Sequence, residues 1–245
     1  MNAAMGYALL PWIIISSTAL IVMLFTAIKR DHQYISLISS LGLFIALIVQ
    51  IIQIGSIEYQ SELVIIDGTT SLLSSVMIFV SLLLSLLLYP WLKSIHDPKE
   101  EYYLLFLLAT QGALIVCASN YFGSFFLGLE LMSLSLVPMV AYADHNPKAL
   151  EAGIKYLVLS AIASAFMLMA IAIIYFYSCT WEIQKIVEQL PVLSNSKNTL
   201  YNVAIIFLLV GIAFKLSLAP CHLWVADLFE GAPLPTAAFL ATLSK

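Results

Sequence analysis

Runs of about twenty apolar residues, the length a helix needs to cross a hydrocarbon core about 30 Å thick, follow one another along almost the whole chain. They fall at roughly Leu9–Ile28, Tyr34–Ile54, Ser71–Leu92, Tyr102–Ala118, Tyr121–Tyr142, Ala152–Tyr177 and Leu200–Val225, and an eighth begins near Leu234. A backbone in lipid must satisfy its own polar groups, and a helix does so within one segment. The pattern predicts an all-α, polytopic helical membrane protein with about seven complete transmembrane helices plus a partial eighth. Composition agrees: 62% of residues are hydrophobic and 10% charged, where soluble chains carry about a quarter charged. The longest breaks, Gly55–Thr70 and Ser178–Thr199, leave no room for a soluble domain.

The net charge of -4 and the lack of a basic tract argue against a nucleic-acid partner. Met1–Gly6 has no positive n-region of a cleaved signal peptide, so the first run reads as a retained helix. Cys117, Cys179 and Cys221 are scattered without ligand-like spacing and read as packing residues, which argues against a metal or iron–sulfur site in this chain. Orientation follows the positive-inside rule. Lys29–His32 is basic, Lys93 and Lys99 follow the third span, and Lys148 follows the fifth, whereas Gly55–Thr70 carries Glu58, Glu62 and Asp67 and no Lys or Arg. That places the N-terminus on the outer side, although Lys185 and Lys197 fall on the outer side as well. Gly55–Gly68 reads either as a short hairpin with Asp67-Gly68 as its turn or as an exposed loop. Asn146-Pro147 is expected to end the fifth helix.

Within the apolar runs, GIAFKLSLAPCHLWVAD (Gly211–Asp227) combines Lys215 with Pro220, which removes a backbone N–H and crowds the carbonyl of Leu216. A charge and a helix break at one depth mark a transport path or another site lined by protein or water. Each ionisable residue at the centre of a span costs about 2.5–3.5 kcal/mol, so it is paired or functional. Glu130 lies mid-span, and its plain reading is a carboxyl held by Ser133 or Ser135 that ties helices together; Pro138 predicts a further kink. Glu151 and Lys155 are spaced i, i+4 and read either as an interfacial anchor pair or as functional charges. Ser160/Ser164 and Ala161/Ala165 give small-residue spacing for close helix packing. Lys215 lies roughly 18 Å into its span by helical rise. His222 reads either as a proton relay or as a packing histidine. Lys245, the last residue, carries little weight in isolation.

The strings LELMSLSLVPMVAY (Leu129–Tyr142), EAGIKYLVLSAIAS (Glu151–Ser164) and FKLSLAPCHLWVADLFEGAPLPTAAFLATLSK (Phe214–Lys245) together resemble the subunit N family of bacterial NADH:quinone oxidoreductase, respiratory complex I. The resemblance covers essentially the whole chain and is strongest from Gly123 onward; Asp67-Gly68 fits the family's early loop. It implies a fourteen-helix antiporter-like fold with two inverted five-helix repeats. Residues 1–100 would form N-terminal helices 1–3, and residues 101–245 the first repeat with its eighth helix incomplete. By motif, Glu130 is implied to pair with Lys215 of the broken helix, and Lys245 to be the lysine at the centre of the membrane. Glu151 and Lys155 match the charged sixth-helix motif, and His222 matches a histidine on the seventh. The family continues well beyond this length, so a truncated or split product is expected, with a separate chain as one source of the remaining helices.

The resemblance implies a proton-translocating membrane-arm subunit in a bacterial inner membrane, multi-pass, with other membrane-arm subunits and the lipid bilayer as partners. It implies no cofactor in this chain. NADH, FMN, iron–sulfur clusters and quinone are expected in partner subunits, so the enzyme is the complex. Glu130, Lys215, Lys245, Lys155, Glu151 and His222 are the implied proton-transfer residues. The alternatives are a cation/proton antiporter subunit of the Mrp type and a fragment with only a structural or assembly role. The chain alone is not expected to pump.

Overall fold

The computed structural model describes residues 3–55, 58–94, 100–142, 147–195 and 199–245. Lys99, Asn146 and Lys197, used above for orientation and for a helix end, lie outside them. A short helix α1 (Ala3–Ala8) leads into α2 (Leu10–Ile28) and α3 (His32–Gln53). A two-stranded antiparallel ribbon, β1 (Tyr59–Gln60) with β2 (Ile65–Ile66), precedes α4 (Gly68–Lys93), α5 (Glu100–Ala118), α6 (Phe122–Val140) and α7 (Pro147–Ser178). Then come α8 (Ile183–Asn195), α9 (Thr199–Lys215), α10 (Leu223–Gly231) and α11 (Leu234–Thr242). Among the described residues, the six helices α2 to α7 are long and apolar enough to cross a membrane, and α9 is a shorter apolar helix. The chain is an all-α polytopic membrane protein, as the apolar runs predict.

Local chemistry sets the ends. Asp31 caps α3, its carboxylate accepting from the Gln33 N–H at 3.2 Å. Asp67 caps α4 by accepting from the Thr70 N–H at 2.7 Å and the Thr69 hydroxyl at 2.8 Å. The ribbon therefore forms, but Asp67-Gly68 is not its turn: the pair register Gln60↔Ile65 puts the turn at residues 61–64. Pro138 and Pro90 are carried in the last turns of α6 and α4.

Among the described residues, contacts between the connecting segments gather at two ends. At one end the Asn120 N–H donates to the Leu63 carbonyl, Phe122 N–H to the Trp181 carbonyl, and Gln60 to Gln184. The Gln53 amide reaches the Tyr7 carbonyl there at 2.6 Å, which brings the N-terminal helix to the same end. At the other end Arg30 meets Glu101 at 3.2 Å and His32 meets the Tyr103 hydroxyl at 3.0 Å. The break expected across Ser178–Thr199 instead holds α8, a helix with a polar face.

The main core lies among α2–α7, α10 and α11, around the fully buried Tyr102, Tyr103, Phe106 and Phe239. α5 and α6 touch at backbone distance: a Cβ on Gly112 would sit 2.7 Å from the Gly128 carbonyl oxygen, so only glycine fits. α11 is tied to this pair by Tyr102 with Thr236 at 2.6 Å and by Thr236 donating to the Met139 carbonyl at 3.0 Å. α9 packs along α7, where a Cβ on Gly211 would meet Met167 Cγ at 2.0 Å.

Candidate functional site

α9 stops at Lys215, several residues before Pro220. The Ser217 N–H bonds the Phe214 carbonyl at 3.0 Å, the Leu218 N–H bonds the Ala213 carbonyl at 2.8 Å, and Ser217 takes a φ of 56°. These paired bonds around a left-handed residue are a Schellman cap, a place usually held by glycine. The break thus exists where the sequence predicts one, but its first cause is the turn at Ser217. Pro220 lies in the irregular stretch that keeps the chain from resuming until Leu223. Lys215 is therefore the last helical residue of α9, at the end where the helix dipole favours a cation.

From there the Lys215 ammonium reaches between α6 and α7. It donates to Ser133 Oγ at 2.8 Å and to Ser160 Oγ at 2.9 Å. Glu130, one turn before Ser133 on α6, accepts from the Ser164 hydroxyl, one turn beyond Ser160 on α7. The sequence leaves Glu130 to Ser133 or Ser135; in the structure Ser164 holds it, while Ser135 donates to the Leu131 carbonyl at 2.7 Å. Among the ion pairs of the described residues, Glu130 with Lys215 does not occur. The two charges face one serine layer instead of each other. Of the small-residue pairs on α7, Ser160 and Ser164 face inward and Ala161 and Ala165 outward.

Lys215 and Lys245 line one cavity of about 290 Å³, walled by Phe125, Leu129, Met132 and Leu243. Lys245 donates to Ser217 Oγ, and its ammonium sits 5.6 Å from the centre of the Trp224 ring. Trp224 is stacked on Phe214 at 4.8 Å and on Tyr156 at 5.3 Å. The terminal lysine is thus fastened to the break itself. His222 stands at the N-cap of α10, exposed, making no side-chain cap bond, and it does not line this cavity.

Glu151 and Lys155 pair at 2.8 Å, as their spacing predicts, but the same ammonium also holds Asp227 of α10 at 2.7 Å. Lys148 and Glu230 add a second link between α7 and α10, at 2.5 Å. These groups line a separate polar cavity of about 210 Å³. Sequence reasoning leaves out Asp227 and Glu230 as partners, gives Ser133 to Glu130 and not to Lys215, and reads Ser160 and Ser164 only as packing residues. The i, i+3 spacing of Asp227 and Glu230 on a helix is a usable signal; the serines can be picked out by spacing, but which charge each one faces is set by packing.

A broken helix carrying a half-buried lysine, set against a glutamate helix within an all-α membrane bundle, defines the class: an antiporter-like membrane protein. The family described as NADH:quinone oxidoreductase/Mrp antiporter, TM, matches residues 119–245, and the chain belongs to that family. It is similar to the NADH-quinone oxidoreductase subunit N of Shewanella woodyi (strain ATCC 51908 / MS32), at 46% identity over 238 residues, which is 96% of this chain and 50% of that protein. Among solved structures it is similar to a chain of respiratory complex I from Thermus thermophilus with bound aureothin. There the TM-score is 0.81 at 26% identity, over 96% of this chain and 50% of that one. It also resembles a chain of the Mrp complex from Dietzia sp. DQ12-45-1b, with a TM-score of 0.74 over 98% of this chain and 46% of that one; at 19% identity that likeness is one of fold alone. The chain spans about half the length of the curated relative it matches.

Proposed function

We propose that the chain is a membrane-arm subunit of a proton-translocating NADH:quinone oxidoreductase and carries part of a proton path through Glu130, Lys215 and Lys245. The redox chemistry, with NADH, FMN, iron–sulfur clusters and quinone, belongs to partner subunits, and the remaining helices to further chain or to a separate one. Residues 101–245 act as the first antiporter-like repeat, and the N-terminus faces outward. The observation that carries this reading is the pair of lysines on one cavity, the first of them facing a glutamate across hydroxyls. The subunit N relative is far closer in sequence than the Mrp chain, which favours the quinone-linked reading over a cation antiporter.

The energetics are feasible. Moving one charge against roughly 150–200 mV costs about 3.5–4.6 kcal/mol. At an effective dielectric near 20, a carboxylate 4 Å from an ammonium contributes about 4 kcal/mol, and at 8 Å about half that. Changing that separation therefore supplies about half of the work, and changing the hydration of the cavity supplies the rest. The Glu151–Lys155–Asp227 network, open at the α7–α10 end, is the uptake side of the path, with His222 outside the line from Lys215 to Lys245.

Replacing Glu130→Gln or Lys215→Ala in the assembled complex tests the reading. NADH-driven proton pumping should fall about tenfold or more, with the complex still assembled, since each change removes a charge-assisted contact worth about 1.5–3 kcal/mol. Normal pumping in either variant rejects the role given to that residue.

A further inference from the structure

We propose that Ser133, Ser160 and Ser164 form a hydroxyl spacer that holds Glu130 and Lys215 apart, so that the pair works by alternating between this separated arrangement and direct contact. The inference rests on the reading of Glu130 and Lys215 as a proton-transfer pair and goes beyond it by giving the separated state its own residues.

All three serines are buried, with 2%, 5% and 6% of their surface exposed. A buried serine in a helix ordinarily returns its proton to the carbonyl one turn back. Ser133 does so, donating to Leu129 at 2.5 Å, and its remaining lone pairs face the Lys215 ammonium. Ser160 and Ser164 do not: among the described residues their hydroxyls bond only to the two charged side chains. They stand one turn apart on α7 and play opposite parts. Ser160 accepts from the cation, and Ser164 donates to the anion. The layer is thus polarised to suit charges that are separated, whereas a direct ion pair would leave each of these two hydroxyls without its partner.

The mechanical means is also present. Lys215 is the final residue of α9, against the left-handed turn at Ser217, and Ser217 is held in turn by Lys245. A change at Lys245 therefore acts on the turn that aims Lys215. In this arrangement the spacer is one of two resting places for the ammonium, and the carboxylate is the other. No atom is transferred to the serines in this step; they orient and separate.

The test uses the complete complex in inside-out membrane vesicles, reading NADH-driven proton pumping, NADH oxidation and the infrared carboxyl band that Glu130→Gln removes. Ser160→Ala and Ser164→Ala should each lower pumping about tenfold, the worth of one hydrogen bond to a charged group. Ser160→Thr, which keeps a hydroxyl, should recover it. Ser164→Ala should also move the Glu130 carboxyl band. Ser135→Ala, an equally buried serine bonded only to Leu131, should leave both readouts unchanged. Native pumping in the alanine variants, an equal loss in Ser135→Ala, or a carboxyl band unmoved by Ser164→Ala overturns the spacer. If Glu130→Gln and Lys215→Ala themselves pump normally, the proposed function fails; if they do not pump while the serine variants do, the spacer alone fails.

Discussion

At the scale of single residues, the chain places its charges where a backbone end can help them. Lys215 sits on the carbonyl end of α9, and Asp67 on the N–H end of α4. Hydrogen bonds from Thr70, through its side chain and its N–H, and then from Thr69 hold the Asp67 carboxyl down to about 2, from an ordinary value of 3.8. A depressed carboxyl stabilises the fold fully above its unfolded value, and that contribution fades as pH falls from about 4 to about 2. Asp67→Ala should loosen the first turn of α4 by about 1 kcal/mol, read as faster amide exchange at Thr70 and Ser71, while Asp67→Asn retains the cap. The buried charges were legible in the sequence because each interrupts an apolar run. Asp67 is visible too, but by sequence it reads as part of a hairpin turn or a loop, since Asp-Gly serves equally well before a hairpin and before a helix. The serines at 133, 160 and 164 were not assignable, because membrane helices are rich in serine and only the rotation of α6 and α7 about their axes says which ones face a charge.

At the scale of elements, periodicity and length predict seven spans and the start of an eighth; the structure keeps six, divides the seventh into α9 and α10, and adds α8. α8 is half polar (Gln184, Lys185, Glu188 and Gln189 among its residues), and without a long apolar run it reads as a loop. The place of the break was legible from Pro220; its cause was not, because a serine at a left-handed cap has no sequence signature like that of glycine. The α5–α6 contact is the most exacting packing feature. Gly112→Ala forces a methyl against the Gly128 backbone, which cannot yield as a side chain would. Overpacking of this kind costs about 1–3 kcal/mol. Lower thermal stability of the purified complex checks it, and Leu104→Ala on the same helix, only partly buried, should cost less.

At the scale of the whole molecule, the two cavities are lined by different helices, the first by α4, α5, α6 and α9 and the second by α7 and α10. One holds Lys215 and Lys245 among apolar walls, and the other holds the open charges that link α7 to α10. The links are solvent-facing and individually weak, so their value is geometric: they fix α10 against α7 once the backbone has let go at Lys215. Lys155→Glu gathers like charges with Glu151 and Asp227 and should lower pumping several-fold. Adding Asp227→Lys restores an opposite pair across the same gap and should recover most of the loss, measured as proton uptake per NADH oxidised. Failure of the double reversal to recover would show that the residues act separately. The alternation of segment ends was legible from Lys and Arg counts, and the contacts of Leu63, Asn120 and Trp181 at one end agree with it.

Trp224, in the first turn of α10, joins the parts of this arrangement: its indole stacks on Tyr156 of α7 and on Phe214 of α9, and Lys245 lies over its ring. The chain has four tryptophans, and in the purified chain with Trp12, Trp91 and Trp181 changed to phenylalanine this one becomes a native optical gauge. Its emission should shift when Lys245→Met takes the cation away from the ring.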